Sequence, residues 1–281
     1  LYIGQRTKRI KIGTAAVVLP VWQPLRLAEE IAVLDNLIDG RFMCGVGRGY
    51  QAYEMASFGG DVTESRGKFQ ETLDILIKAW TSEESFTYKG EFHNIPNPVR
   101  VFPQPMQKPY PPLWLAGTSV DSMNLAAEMD MMPLSSGMMG QDGMKKQLGV
   151  YVHAMQNVGK PLTGINLGAQ CMTHVAPTDD EAFEMLKYAR WQNRAQRGLN
   201  RQAIVNGQVE ATPYEGELGD EEYMDRLFFG SPETVIKKFK KVAEAGATHI
   251  SNWMMFGGMP HEDLMRSVRL MGEEVIPALK D

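Results

Sequence analysis

The strongest constraint on this chain is a repeated alternation of short apolar runs with amphipathic helical stretches. The first run, Ile10 to Pro20, is short, β-branched and almost wholly apolar, the pattern of a parallel strand buried on both faces. A helix follows, with Pro24 in its first turn, Leu27, Ile31, Leu34 and Leu37 on one side, and Asp39-Gly40 at its end. Arg41 to Val46 reads as the next strand, and Phe69, Leu73, Leu76, Ile77 and Trp80 then recur at helical spacing. Ser85 to Ile95 reads as a small hairpin turning at Lys89-Gly90, and the proline-dense stretch Pro96 to Pro112 as a connecting loop. Further strands are expected at Leu113 to Ala116, Met132 to Ser136, Ile165 to Ala176 and His249 to Met254. The helices between them run from Ser119 to Met129, from Gly143 to Val158, from the capping box Thr178-Asp-Asp-Glu181 to about Arg197, and from Ser231-Pro232-Glu233 to Gly246. Leu264, Val268, Met271, Val275 and Leu279 mark a final helix. Leu199 to Arg226 is polar, irregular and glycine-bearing, and reads as an insertion or lid. Six strand–helix units without repeats or linkers imply a parallel α/β fold, either a doubly wound sheet or a barrel.

Composition narrows the function classes. The 281 residues carry a net charge of −5, which disfavours a nucleic-acid partner but leaves room for a small anionic cofactor. No run approaches the length of a membrane span, and the N-terminus lacks the pattern of a signal peptide. Two cysteines and no N-x-S/T sequon point to a reducing, cytoplasmic setting. The five histidines and two cysteines show neither H-x-x-x-H nor C-x-x-C spacing, so no metal site is expected. Neither a G-x-S-x-G elbow nor a P-loop is present. Nineteen methionines, several in pairs, fit either flexible core filling or an adaptable apolar lining.

Two elements suit an anion. Gly45-Val-Gly-Arg-Gly-Tyr50 places Arg48 at a strand end between flexible glycines, where a guanidinium can grip a phosphate through two bonds. The competing reading pairs Arg48 with Glu54. Tyr50 stands where a dinucleotide fingerprint would need its third glycine, so a Rossmann site is disfavoured. Ala116-Gly-Thr-Ser-Val-Asp-Ser122 opens a helix with three hydroxyls, and helix N-termini attract phosphate. The competing reading makes Ser119 an ordinary N-cap.

Three ordered stretches resemble the bacterial luciferase-like, flavin-dependent monooxygenases. They are Ile12-Gly-Thr-Ala-Ala-Val-Val-Leu-Pro20 with Pro24-Leu-Arg-Leu-Ala-Glu-Glu30; Leu34 to Phe42 running into Gly45 to Tyr50, Phe58-Gly59 and Glu64-Ser-Arg66; and Gly230-Ser-Pro-Glu233 with Val275-Ile-Pro-Ala-Leu279. The resemblance covers essentially the whole chain and implies one (β/α)8 TIM-barrel domain over residues 1–281. The family's first two strands, and the active-site histidine of its glutamate–histidine–histidine motif, are then expected upstream of Leu1, so no catalytic residue is assigned.

The resemblance further implies a non-proline cis peptide at Ala15-Ala16 beneath the flavin ring. It implies that Arg48 contacts the flavin phosphate, that Tyr50 contributes backbone, and that Thr118, Ser119 and Ser122 form a second phosphate loop. Gly47 falls where luciferase has a reactive cysteine, and Gln23 where it has histidine, which argues against light emission. The implied activity is that of a two-component monooxygenase. Reduced FMN from a separate flavin reductase, O2 and a small apolar organic substrate (an aldehyde, ketone or hydrocarbon-like molecule) are its reactants. Met138, Met139, Trp253, Met254 and Phe256 are candidates to line the substrate space. A homodimer through the first helices is expected. A deazaflavin-dependent oxidoreductase and a non-catalytic, partner-stabilising subunit are the alternatives.

Overall fold

The apolar run at 10–20 forms two short strand segments, Ile12–Gly13 and Val17–Val18, interrupted at residues 14–16. In this computed structural model, which describes residues 1–280 apart from the side chains of Met138 and Gln141, both segments pair in parallel with Phe42–Gly47. That strand also pairs in parallel with Leu113–Ala116, with Gly45 opposite Trp114 and Gly47 opposite Ala116. The chain divides into two compact units, and these strands belong to the first, Leu1–Gly117 with Met129–Met131. Phe42, Cys44 and Val46 are buried, as are Leu27 and Ile31 of the Pro24–Leu37 helix and Leu73, Leu76 and Trp80 of the Ser65–Thr81 helix. Burial of such apolar side chains is the main stabilising term, and Trp80 satisfies its buried indole N–H on the Ala28 carbonyl at 3.1 Å. Leu37, expected on the inner face, is exposed.

The hairpin of this unit pairs Phe86–Lys89 with Asn94–Val99, so its second strand runs through Pro96 and Pro98, residues expected in a loop. A two-stranded ribbon has edges on both sides and tolerates proline there. Its turn spans Gly90 to His93 rather than Lys89-Gly90. The Glu71 carboxylate draws it shut, accepting from the backbone N–H of Glu91, Phe92 and His93 at 2.6, 3.0 and 2.9 Å.

The second unit comprises Thr118–Glu128 and the chain from Met132 onward. Its longest strand, Gly168–Val175, pairs in parallel with Met132–Ser136 and His249–Trp253 through its first residues, and with Phe228–Gly230 through its last. Phe228–Gly230 is a strand beyond the six expected. Three apolar residues abutting the Ser231 cap carry no periodicity of their own, and only pairing reveals them. Ala169, Cys171 and Val175 pack with Val235 and Phe239, whereas Met172 packs with Phe229 and Phe256 in a second cluster. The capping box forms, with the Glu181 N–H donating to Thr178 Oγ1 at 3.2 Å. The helix it opens is broken in two, Asp179–Phe183 and Leu186–Asn200. On the final helix, Met271 and Val275 are buried but Val268 and Leu279 are exposed.

The stretch from Leu199 to Arg226, read as irregular, is built. It contains a short hairpin, Ile204–Val205 with Gln208–Val209, and a helix, Asp220–Arg226. Arg194 grips Glu217 through two bonds of 2.8 Å, Arg190 pairs with Asp220, and Tyr223 is buried in the cluster around Phe229 with Leu218 and Met224 against it, so charge and apolar burial together fasten this segment. Burial depresses the Lys238 ammonium's affinity for its proton, yet the group donates to the carbonyls of Met224, Leu227 and Phe229 at 2.5, 2.7 and 3.3 Å. Lys238→Met strands those carbonyls and is expected to cost about 2 kcal/mol. The check is a lower urea midpoint at unchanged slope. No helix among the described residues is long and apolar enough to cross a membrane.

Candidate cofactor site

In the first unit, the strands end in a patch almost free of side chains. The peptide between Ala15 and Ala16 is cis, and Ala15 is exposed. Gly47 lies on the adjacent strand. A β-carbon placed there would meet the methyls of Ala16 and Ala116 at 3.5 and 3.8 Å, so Ala16, Gly47 and Ala116 together form a shallow floor. The floor follows from the register: Val17 opposite Val46 and Gly47 opposite Ala116 bring three small residues side by side.

Arg48 follows directly and is exposed, with no carboxylate partner, Glu54 included, among the described residues. Gly49 adopts φ +75°, and a side chain there would press on Val18 Cγ1 at 2.6 Å, which explains the glycine. Tyr50 is exposed. Gln51, which the sequence reading did not single out, is buried and its Oε1 has no hydrogen-bond partner. A buried, unpaired amide oxygen at the start of the Ala52–Ser57 helix is unusual and marks the place for a donor.

In the second unit, the Thr118–Ser122 turn opens the Val120–Glu128 helix. Ser119 is its N-cap: its Oγ accepts from the Ser122 N–H at 3.1 Å and lies 2.9 Å from Ser122 Oγ. Capping the helix is therefore what the Ser119 hydroxyl does, and Ser122 Oγ is engaged with it. Thr118 is exposed, and its carbonyl accepts from Gln147 Nε2 at 3.1 Å. Gln147 is buried and its Oε1 is unpaired.

Of the substrate-lining candidates, Met139 is exposed and Trp253 and Met254 are half-buried. Phe256 is 2% exposed and stacked on Phe229 at 5.4 Å, so it packs the interior of the second unit. The side chain of Met138 lies outside the described residues. Cys44 and Cys171 are fully buried, and burial pushes each thiol up to about 12, too high for a ready nucleophile. Gln23, at the position of the luciferase histidine, caps the Pro24–Leu37 helix by accepting from the Arg26 N–H at 2.7 Å. Among the described residues, no three His, Cys, Asp or Glu side chains gather as for a metal ion.

Such a floor, with a cationic strand end beside it, suits a planar, phosphorylated ring system. The model of the luciferase-like monooxygenase family matches residues 1–249, and the chain belongs to that family. The oxygenase component of the flavin-dependent trigonelline monooxygenase of Acinetobacter baylyi is 25% identical over 99% of this chain and 79% of its own length. The crystal structure of monooxygenase RslO1 from Streptomyces bottropensis superposes with a TM-score of 0.83, at 25% identity, over 98% of this chain and 80% of that one. An F420-dependent secondary alcohol dehydrogenase shares the fold, with a TM-score of 0.76 at 19% identity over 100% of this chain and 82% of its own. The α/β barrel of the luciferase type and an enzyme of the flavin-dependent monooxygenase class are thereby given.

Proposed function

We propose that this chain is the cytoplasmic oxygenase component of a two-component monooxygenase that uses FMN reduced by a separate reductase. The observation that carries the reading is Arg48, exposed and without a carboxylate partner at the edge of the Ala16–Gly47–Ala116 floor. An unpaired guanidinium beside a shallow surface of methyls and backbone fits a phosphate tethered to a planar ring. Ala15 and Ala16 would lie against the ring and Gly47 would leave it room. Tyr50 would offer backbone to the phosphate, and the Gln51 amide oxygen would accept a ribityl hydroxyl. Of the hydroxyls that open the second unit's first helix, we assign that of Thr118 to phosphate, whereas Ser119 and Ser122 serve the helix cap.

When bound, the reduced flavin supplies the reaction with O2. The chain's own part is to orient that ring and to keep water from it. Met139, Trp253 and Met254 are the side chains we assign to a small apolar substrate. Exposed Val33 and Leu37 on the Pro24–Leu37 helix support a homodimer.

Titration tests the reading. Arg48→Met is expected to weaken FMN binding by about 2 kcal/mol, roughly 30-fold, while riboflavin, which lacks the phosphate, binds both forms alike. Equal loss for both ligands would refute the phosphate role. The shared fold of the F420-dependent alcohol dehydrogenase favours a second reading, hydride transfer with a deazaflavin. Tight deazaflavin binding, with no O2 consumption in the presence of reduced FMN, would establish that one instead.

A further inference from the structure

The floor beneath the proposed flavin is made of methyls and backbone, so something else must fix its height. Ala15 and Ala16 carry no polar side chain, and strand pairing stops at Gly13 and resumes at Val17. Thr14 bridges the gap, and every polar group it has is used. Its N–H donates to the Met43 carbonyl at 3.3 Å. Its hydroxyl donates to the Gly45 carbonyl at 2.9 Å and accepts from the Gly45 N–H at 3.0 Å, taking over the strand pairing that the backbone gives up. Its carbonyl accepts from the Trp114 indole Nε1–H at 2.6 Å.

That last bond crosses a strand. Trp114 stands opposite Gly45 in the register, and its ring passes over Gly45 to reach the next segment beyond. Gly13 lies under the same ring, 3.2 Å from its Cζ2 to the place a β-carbon would take. Two residues further along each strand come Ala16, Gly47 and Ala116. Trp114 thus fills the layer directly below the floor, and it holds the carbonyl that precedes the Ala15-Ala16 peptide.

We propose that Trp114 and Thr14 are positioning residues for the cofactor: through the indole–carbonyl bond and the threonine bridge they set where Ala15-Ala16 meets the flavin ring. The proposal rests on the flavin reading given above. A bond of this kind to a backbone carbonyl decides orientation more than it decides folding, because the ring's apolar contacts persist without its N–H.

The test uses Trp114→Phe, which keeps an aromatic ring and drops the N–H, Thr14→Val, which drops the hydroxyl at constant shape, and Thr14→Ser, which restores it. FMN affinity is read by fluorescence quenching, the environment of the bound flavin by its visible circular dichroism, and folding by thermal unfolding. Trp114→Phe and Thr14→Val are expected to weaken FMN about tenfold and to alter the visible bands, with Thr14→Ser close to wild type. Wild-type affinity and unchanged bands in both Trp114→Phe and Thr14→Val would overturn the proposal, as would lowered thermal stability with unaltered bands. A wild-type protein that takes up an F420-type deazaflavin in place of FMN would refute the FMN reading alone, and the same variants are then read with that deazaflavin. Uptake of neither cofactor by the wild type would overturn both.

Discussion

Gly45→Ala is expected to lower the stability of the first unit by about 3 kcal/mol and to abolish FMN binding at micromolar concentrations. A methyl at residue 45 would overlap both the Trp114 Nε1 and the Thr14 carbonyl oxygen, the two partners of the bond that crosses this strand. Neither can yield cheaply. The carbonyl is backbone held at both ends, and the indole lies against Gly13. The double variant Gly45→Ala with Trp114→Ala removes one of the two overlaps, so it should recover part of the stability without recovering the cofactor. Urea unfolding and FMN titration on the two variants check this. A single variant as stable as the wild type would show that the strands slide apart at no cost, contrary to their close packing.

The second large effect is on acid stability. His174 is 1% exposed, its ring faces Phe229 at 5.9 Å, and neither ring nitrogen has a hydrogen-bond partner among the described residues. Burial pushes its pKa down to about 4, with Asp263 raising it and Arg266 lowering it by less. The folded chain therefore keeps this imidazole neutral where the unfolded chain, with an ordinary value near 6.5, takes up a proton. More protons on the unfolded side means stability falls as pH drops through the interval from about 6.5 to about 4. The loss across that interval is about 3 kcal/mol at 1.36 kcal/mol per pH unit. His174→Phe removes the titrating group while keeping an aromatic ring beside Phe229. It is expected to flatten the pH dependence of the urea midpoint below pH 6, with little change at pH 8. An unchanged acid limb would mean that His174 does not stay neutral in the fold.

Much of the fold was legible in local pattern. Parallel strands at Leu113–Ala116 and Met132–Ser136, the Thr178 and Ser231 caps and the stripe from Phe69 to Trp80 all follow from periodicity or cap chemistry confined to a few residues. Three errors share one cause, dependence on a distant partner. The Gly90–His93 turn is set by Glu71 some twenty positions earlier in the chain. Phe228–Gly230 is a strand only because Thr173 to Val175 lies beside it. Leu199–Arg226 reads as irregular because distant partners hold it, arginines on the preceding helix and the apolar cluster that buries Tyr223. Phe256 carried an apolar signal that served a lining or a core equally well, and packing against Phe229 put it in the core.

The candidate site divides in the same way. Arg48 between two glycines at a strand end, and hydroxyls opening a helix, were visible as residue types whose chemistry suits an anion whatever surrounds them. That Arg48 has no carboxylate partner, while Ser119 is already committed to its helix, depends on which groups come within bonding distance, and no spacing along the chain encodes that. Residue type marked the alanine pair at 15–16 and the glycines at 45 and 47 as small, and the family resemblance added the cis peptide at Ala15-Ala16 that the structure contains. Cross-strand register alone turned two of them into a floor with Ala116 and one into the gap through which Trp114 reaches Thr14. A side chain's size is a local property, but what its absence makes room for is decided by the neighbouring strand.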